Sequence, residues 1–256
     1  MSAGTGGDVY SIPEGSIIVH KAGITTVYGP ERKVMLSIAD NQAGIVATPE
    51  GPARATHVHQ VPSGSVVRDV DNKTTEVIHE GKVILTVINE NEMREQRGIE
   101  QEWLEYAMYP PAENEVSDLS VTGFDAYWKV PSSPPYPDAE AVDFLFPAIM
   151  DEFQEYPSTM IQPVLEWNYE GSGGWTIASW RVYQEDEDPG HWESYRSDPI
   201  PVGEKDLIYG NMIFLSGEHS PCWAISICNN DTHESTTAAW QTDRTDKLWI
   251  FAALEG

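Results

Sequence analysis

The stretch "MIQPVLEWNYEGSGGWTIASW", Met160 to Trp180, decides how this chain is read. Two short apolar runs flank a glycine-rich turn, the pattern of a hairpin, because strand side chains alternate between faces and glycine supplies the conformations of a tight reversal. In the first run Gln162, Val164 and Glu166 fall on one face, and Ile161, Pro163, Leu165 and Trp167 on the other. In the second, Trp175, Ile177, Ser179 and Arg181 alternate with Thr176, Ala178, Trp180 and Val182. The pattern predicts one buried apolar face, and an opposite, concave face that presents an amide, a carboxylate and aromatic rings.

Outward from this hairpin, strand signals dominate. Segments such as "SIIVH", "KVMLSIA", "GSVVRDV", "KVILTVI", "DFLFPAI", "CWAISIC" and "LWIFAAL" are short, rich in β-branched or aromatic residues, and bounded by Gly, Pro, Asn or Asp. The fold class is mainly β. One segment departs from this: across 92–109, Met93, Gln96, Ile99, Trp103, Tyr106 and Ala107 recur at three- and four-residue spacing before Pro110-Pro111, which predicts a connector helix. "YSIPEGSIIVH" and "HQVPSGSVVRD" repeat one device, a proline-glycine turn feeding a strand. A break at Pro110 to Ser117 divides an N-terminal, mostly β region, residues 1–116, from a second region, residues 117–256.

Composition limits the partners. A chain of 256 residues can bury a sizeable core, and 15 basic against 41 acidic residues give a net charge of -26. Such a charge repels phosphate backbones and anionic lipid, so neither nucleic acid nor membrane is an expected partner. No run reaches the roughly 18 apolar residues of a spanning helix. "MSAGTGGDVYSIPEGS" lacks the basic start and apolar centre of a secretory signal, so the expected location is cytoplasmic, with a secreted mature form as the other reading. Cys222 and Cys228, six apart on one strand, would lie about 20 Å apart at roughly 3.3 Å per residue, too far for a disulfide.

Motifs for common chemistries are missing: there is no phosphate-binding glycine loop, no G-x-S-x-G elbow and no paired C-x-x-C. "HVH" places His57 and His59 where both could reach a metal if a third ligand came from His20, His79, His191, His219 or His233. Histidines two apart are more often a polar strand face, so no metal or cofactor is expected. Glu185 to Asp188 lacks the spacing and glycine of a calcium loop and reads as a solvated turn. Trp128, Trp167, Trp175, Trp180 and Trp192 crowd into a quarter of the chain, and large amphipathic rings commonly line ligand grooves.

From Phe124 to Glu255 the chain resembles the eqolisins, the glutamic peptidases. "AYWKVPSSPP", "DFLFPAI", "IQPVLEWN", "GGWTIASW", "PIPVGEKDLIYGNM" and "LWIFAALE" carry the likeness through their order and spacing, with "HQVPSG" upstream. The resemblance implies a concanavalin-like two-sheet β-sandwich with a concave substrate face. It places the family's glutamine on Gln162 and its glutamate on Ala252, three residues after Trp249, where the carboxylate is missing. Glu166 and Glu255 are the alternative carboxylates.

Three functions follow as expectations. The first is a non-proteolytic eqolisin-like protein that binds a small apolar or aromatic molecule, as a cyclase or pericyclase of secondary metabolism; the others are an acid peptidase and a sugar-binding module. The expected catalytic residues are Gln162, Glu166 and Tyr183. The expected ligand contacts are Tyr127, Trp128, Trp167, Trp175, Ser179, Trp180 and Glu255.

Overall fold

A computed structural model describes residues 10–49, 51–91, 103–109, 121–134, 141–151, 158–184, 192–217, 221–242 and 248–255. Through them the chain forms β1 (Ser16–Lys21), β2 (Ile24–Tyr28), β3 (Val34–Ala39), β4 (Ile45–Thr48), β5 (Gly51–Arg54), β6 (Val58–Val61) and β7 (Ser65–Asp69). Next come β8 (Thr74–His79), β9 (Lys82–Asn89), β10 (Trp103–Tyr109), β11 (Gly123–Lys129), β12 (Asp143–Met150), β13 (Ser158–Trp167) and β14 (Trp175–Gln184). The last are β15 (Trp192–Ser197), β16 (Ile200–Val202), β17 (Leu207–Leu215), β18 (Cys222–Asn229), β19 (Ser235–Gln241) and β20 (Trp249–Glu255).

The strands build a β-sandwich. One sheet has ten strands in the order β11-β17-β18-β19-β7-β8-β9-β1-β2-β3. The other has eight, β10-β20-β12-β13-β14-β15-β6 with β16 paired on β14, and β4 and β5 form a separate hairpin. Early residues enter both sheets, because β7 lies parallel to β19 and β6 lies parallel to β15.

β13 and β14 pair antiparallel from Ser158↔Gln184 to Trp167↔Trp175, which is the hairpin expected of the opening stretch. Both of its faces are buried. On the side toward the ten-stranded sheet, Ile149 and Ile161 pack with Met212, Trp223 and Ile225, while Leu165, Trp175 and Ile177 pack with Ile208 and Ile227. On the opposite side, Met160, Val164, Ala178 and Trp180 pack with Phe144, Phe146 and Phe251, and Ala47 and Val58 lie against them. Each such Phe contributes about 1.5–3 kcal/mol by leaving water. The predicted open face carrying Gln162 and Glu166 is therefore corrected: both side chains are fully buried, because a second apolar cluster closes that side.

Two turns repeat at atomic detail. Ser16 and Ser65 each donate both backbone N–H and side-chain hydroxyl to the carbonyl of Pro13 and Pro62, while Gly15 and Gly64 take positive φ. Gly210 marks a close approach, since a Cβ there would meet the Trp128 ring at 2.7 Å and Pro163 at 2.8 Å.

Residues 103–109 correct the predicted helix. They form β10, paired with β20 from Trp103↔Glu255 to Tyr109↔Ile250. Leu104, Tyr106 and Met108 also recur at a period of two, and a strand partner decided between the two readings. Residues 92–102 and the acidic run at 185–188 lie outside the described residues. Cys222 and Cys228 are free thiols. No helix among the described residues is long and apolar enough to cross a membrane.

Candidate functional site

The sequence-predicted site residues do not converge on one surface. Gln162 and Trp180 are cross-strand partners on the closed face, and Glu166 is on the same side. Trp128, Trp167 and Trp175 belong instead to the core between the sheets, where the Trp167 and Trp175 ring centres are 5.3 Å apart. Ser179 is fully buried there too, with its hydroxyl within reach of the Ile225 and Thr236 carbonyls. Tyr183 is half-buried beside Arg181, whereas Tyr127 is 61% exposed and rests on Tyr209. For Glu255 the backbone pairs with Phe144 and Trp103. A period of two separates these side chains onto opposite faces, so the single aromatic cleft expected of them is not formed.

Among the described residues Gln162 has no hydrogen-bond partner on either amide atom, so none of their carboxylates is within reach of it. Ala252, the residue matched to the peptidase glutamate, is exposed and pairs with Pro147. Its neighbours Phe251 and Ala253 join the cluster on the Gln162 side. Ala252 therefore points away from Gln162.

Glu166 is fully occupied. Its Oε1 accepts from Trp180 Nε1 at 2.6 Å and Arg196 Nε at 2.9 Å; its Oε2 accepts from Arg196 Nη2 at 2.6 Å and Thr176 Oγ1 at 2.7 Å. Arg196 also lies 4.2 Å over the Tyr169 ring. A carboxylate holding four donors in the interior is an ion-pair anchor rather than an available base.

A second polar centre brings three strands together. His20 comes from β1, His59 from β6 and Glu193 from β15, while His57 closes the single 3-10 turn Ala55–His57 that leads into β6. The parallel pairing of Tyr195 with His59 sets Glu193 beside the two downstream histidines. His57 Nδ1 is 2.8 Å from Glu193 Oε1, His59 Nε2 is 2.9 Å from Oε2, and His20 Nε2 is 3.1 Å from Oε1. The His20 and His57 rings stack with centres 3.8 Å apart. All four side chains are buried. Burial alone pushes the Glu193 carboxyl up, but the charges of His20 and His57, with the contacts from both rings to the carboxylate, hold it well below its ordinary value. Burial, and then the charge of His20, lowers the His57 imidazole.

Beside this centre is a cavity of about 1040 Å³. Ile18, Val27, Leu36, Val46 and Val61 supply apolar wall; His59, Asn168, Arg196 and Asp198 supply polar points. It lies between β1 to β3, the β4–β5 hairpin, and the β6 and β15 edge of the other sheet. This is at the upper end of the usual ligand-site range of about 300–1,000 Å³.

Sequence reasoning named His57, His59 and His20 as candidate ligands but missed Glu193, Arg196 and the cavity. Glu193 sits in "WESYRS", where a carboxylate among strand residues was the one available signal. Comparison with models of protein families, with curated proteins and with solved structures finds no match. The fold and site together define a two-sheet β-sandwich protein with a buried three-histidine, one-carboxylate centre beside a partly open cavity.

Proposed function

We propose that this protein binds a small, largely apolar organic molecule in the cavity between its N-terminal strands and the β6–β15 edge. The carrying observation is the cavity itself, about 1040 Å³, whose walls combine apolar residues such as Ile18, Val27, Leu36, Val46 and Val61 with polar groups on both the β2–β3 side and the β6–β15 side. Such a surface takes up an apolar body by desolvation and orients it through one or two hydrogen bonds. Ring closure of a flexible substrate, a cyclase or pericyclase reaction, is the chemistry this proposal favours, because it requires chiefly orientation. The resemblance to eqolisins supports a non-proteolytic member of that type: Gln162 has no carboxylate partner among the described residues, and Glu166 is committed to Arg196.

The test is binding of nile red, an apolar fluorescent probe, with Ala43→Trp as the cavity-filling variant. Ala43 is half-buried on the cavity wall, so the indole occupies ligand space while the core stays intact. We expect saturable one-to-one binding that weakens at least about tenfold, or 1.4 kcal/mol, in the variant. Equal binding by both proteins would overturn the reading.

A further inference from the structure

We propose that His20, His59 and Glu193 bind one divalent first-row transition-metal ion through His20 Nε2, His59 Nε2 and the carboxylate, with His57 as the hydrogen-bonding partner that orients the carboxylate. This goes beyond the cavity reading and does not depend on it. The argument begins at the far side of the His20 ring.

Thr25 Oγ1 donates its one proton to Asp40 Oδ1 at 3.2 Å, and it lies 2.8 Å from His20 Nδ1. With that proton committed, the hydroxyl oxygen can only accept, so Nδ1 carries the hydrogen. In the neutral ring Nε2 is then a bare lone pair. That lone pair is fully buried, makes no aligned hydrogen bond, and lies 3.1 Å from a carboxylate oxygen. Two electron-rich atoms facing each other in the interior repel unless a proton or a metal ion lies between them, and here the metal ion takes that place.

The geometry suits an ion. The three ligand atoms all lie within 4.8 Å of one another. Atoms bonded to zinc at about 2.0–2.2 Å are separated by roughly 3–4 Å, so this set closes on an ion through small side-chain movements. Two imidazoles and one carboxylate favour zinc, iron or cobalt over magnesium or calcium, which prefer oxygen-only shells. The Asp40–Thr25–His20 chain is the outer support that metal-bound histidines usually have, since it fixes the tautomer and the ring angle. Because β1 belongs to one sheet and β6 and β15 to the other, the ion would tie the two sheets together. Three protein ligands leave at least one coordination position, and His59 is the ligand on the cavity lining.

The experiment uses tag-free full-length protein, stripped with EDTA and titrated with Co²⁺ at physiological salt with excess Mg²⁺, which occupies surface carboxylates. We expect one Co²⁺ per chain, visible ligand-field bands, displacement by Zn²⁺ and a raised melting temperature. His59→Ala and Glu193→Gln should lose the bands. Thr25→Val, which touches no ligand atom, should weaken Co²⁺ binding about 10–100-fold. Should the ligand variants fail to fold, Thr25→Val and the wild-type thermal shift still decide the matter. Wild-type protein that takes up no Co²⁺ would make the centre a hydrogen-bonded imidazolium–carboxylate cluster and overturn the proposal. Uptake undiminished in His59→Ala and Glu193→Gln would place the ion elsewhere and overturn it equally.

Discussion

Glu166 and Glu193 are both buried carboxylates of the eight-stranded sheet, each ringed by nitrogen groups, yet their surroundings differ in kind. Around Glu166 the partners are a guanidinium, an indole and a hydroxyl, which cannot give up their hydrogens at ordinary pH. Around Glu193 stand three imidazoles, each able to present either a hydrogen or a lone pair. The first arrangement can only hold a fold together. The second can exchange a proton for a metal ion, so burial of a charged group does not by itself identify a functional site.

The comparison can be broken by mutation, and the largest effect should come at Glu166. Glu166→Ala leaves Arg196 charged and buried without its partner, and urea unfolding should show a loss of about 3–5 kcal/mol. Combining Glu166→Leu with Arg196→Met should cost less than that single change, because both charges go together. In metal-stripped protein Glu193→Ala should cost less, about 1–3 kcal/mol, since the histidines it leaves can remain neutral. Equal losses at the two carboxylates would erase the distinction.

Gln162→Met should act in the opposite direction. Its amide is fully buried with neither atom partnered among the described residues, and replacing it by an apolar side chain of similar length should stabilise the protein by about 1–2 kcal/mol. A stability loss would mean that the amide has a role in the folded state. The smallest effect is expected at the surface: Lys21 and Glu90 are 2.6 Å apart, the same separation as Arg196 and Glu166, but in open solvent. Lys21→Ala should leave the unfolding curve where it was, because water and salt screen the exposed pair.

How far the sequence could foresee this depended on the range of the interaction. The β13–β14 hairpin was legible because alternation and a glycine turn are local. The strand β10 was read as a helix because its apolar residues fit both periods, and its partner β20 is more than 100 residues away in sequence. His57 and His59 stood out as a pair two residues apart. Glu193 did not, because the parallel pairing of β6 with β15 that delivers it joins residues 58–61 to residues 194–197. The burial of Gln162 and Glu166 escaped for the same reason: the cluster that covers them includes Ala47 and Val58, far away along the chain.

The most direct measurement is anomalous diffraction from crystals of the full chain soaked in Co²⁺, with data on both sides of the cobalt edge. The account predicts one strong peak within about 2.0–2.2 Å of His20 Nε2, His59 Nε2 and a Glu193 oxygen, and none at Glu166. A map with no peak at Glu193, or with cobalt only on exposed carboxylates, would contradict it.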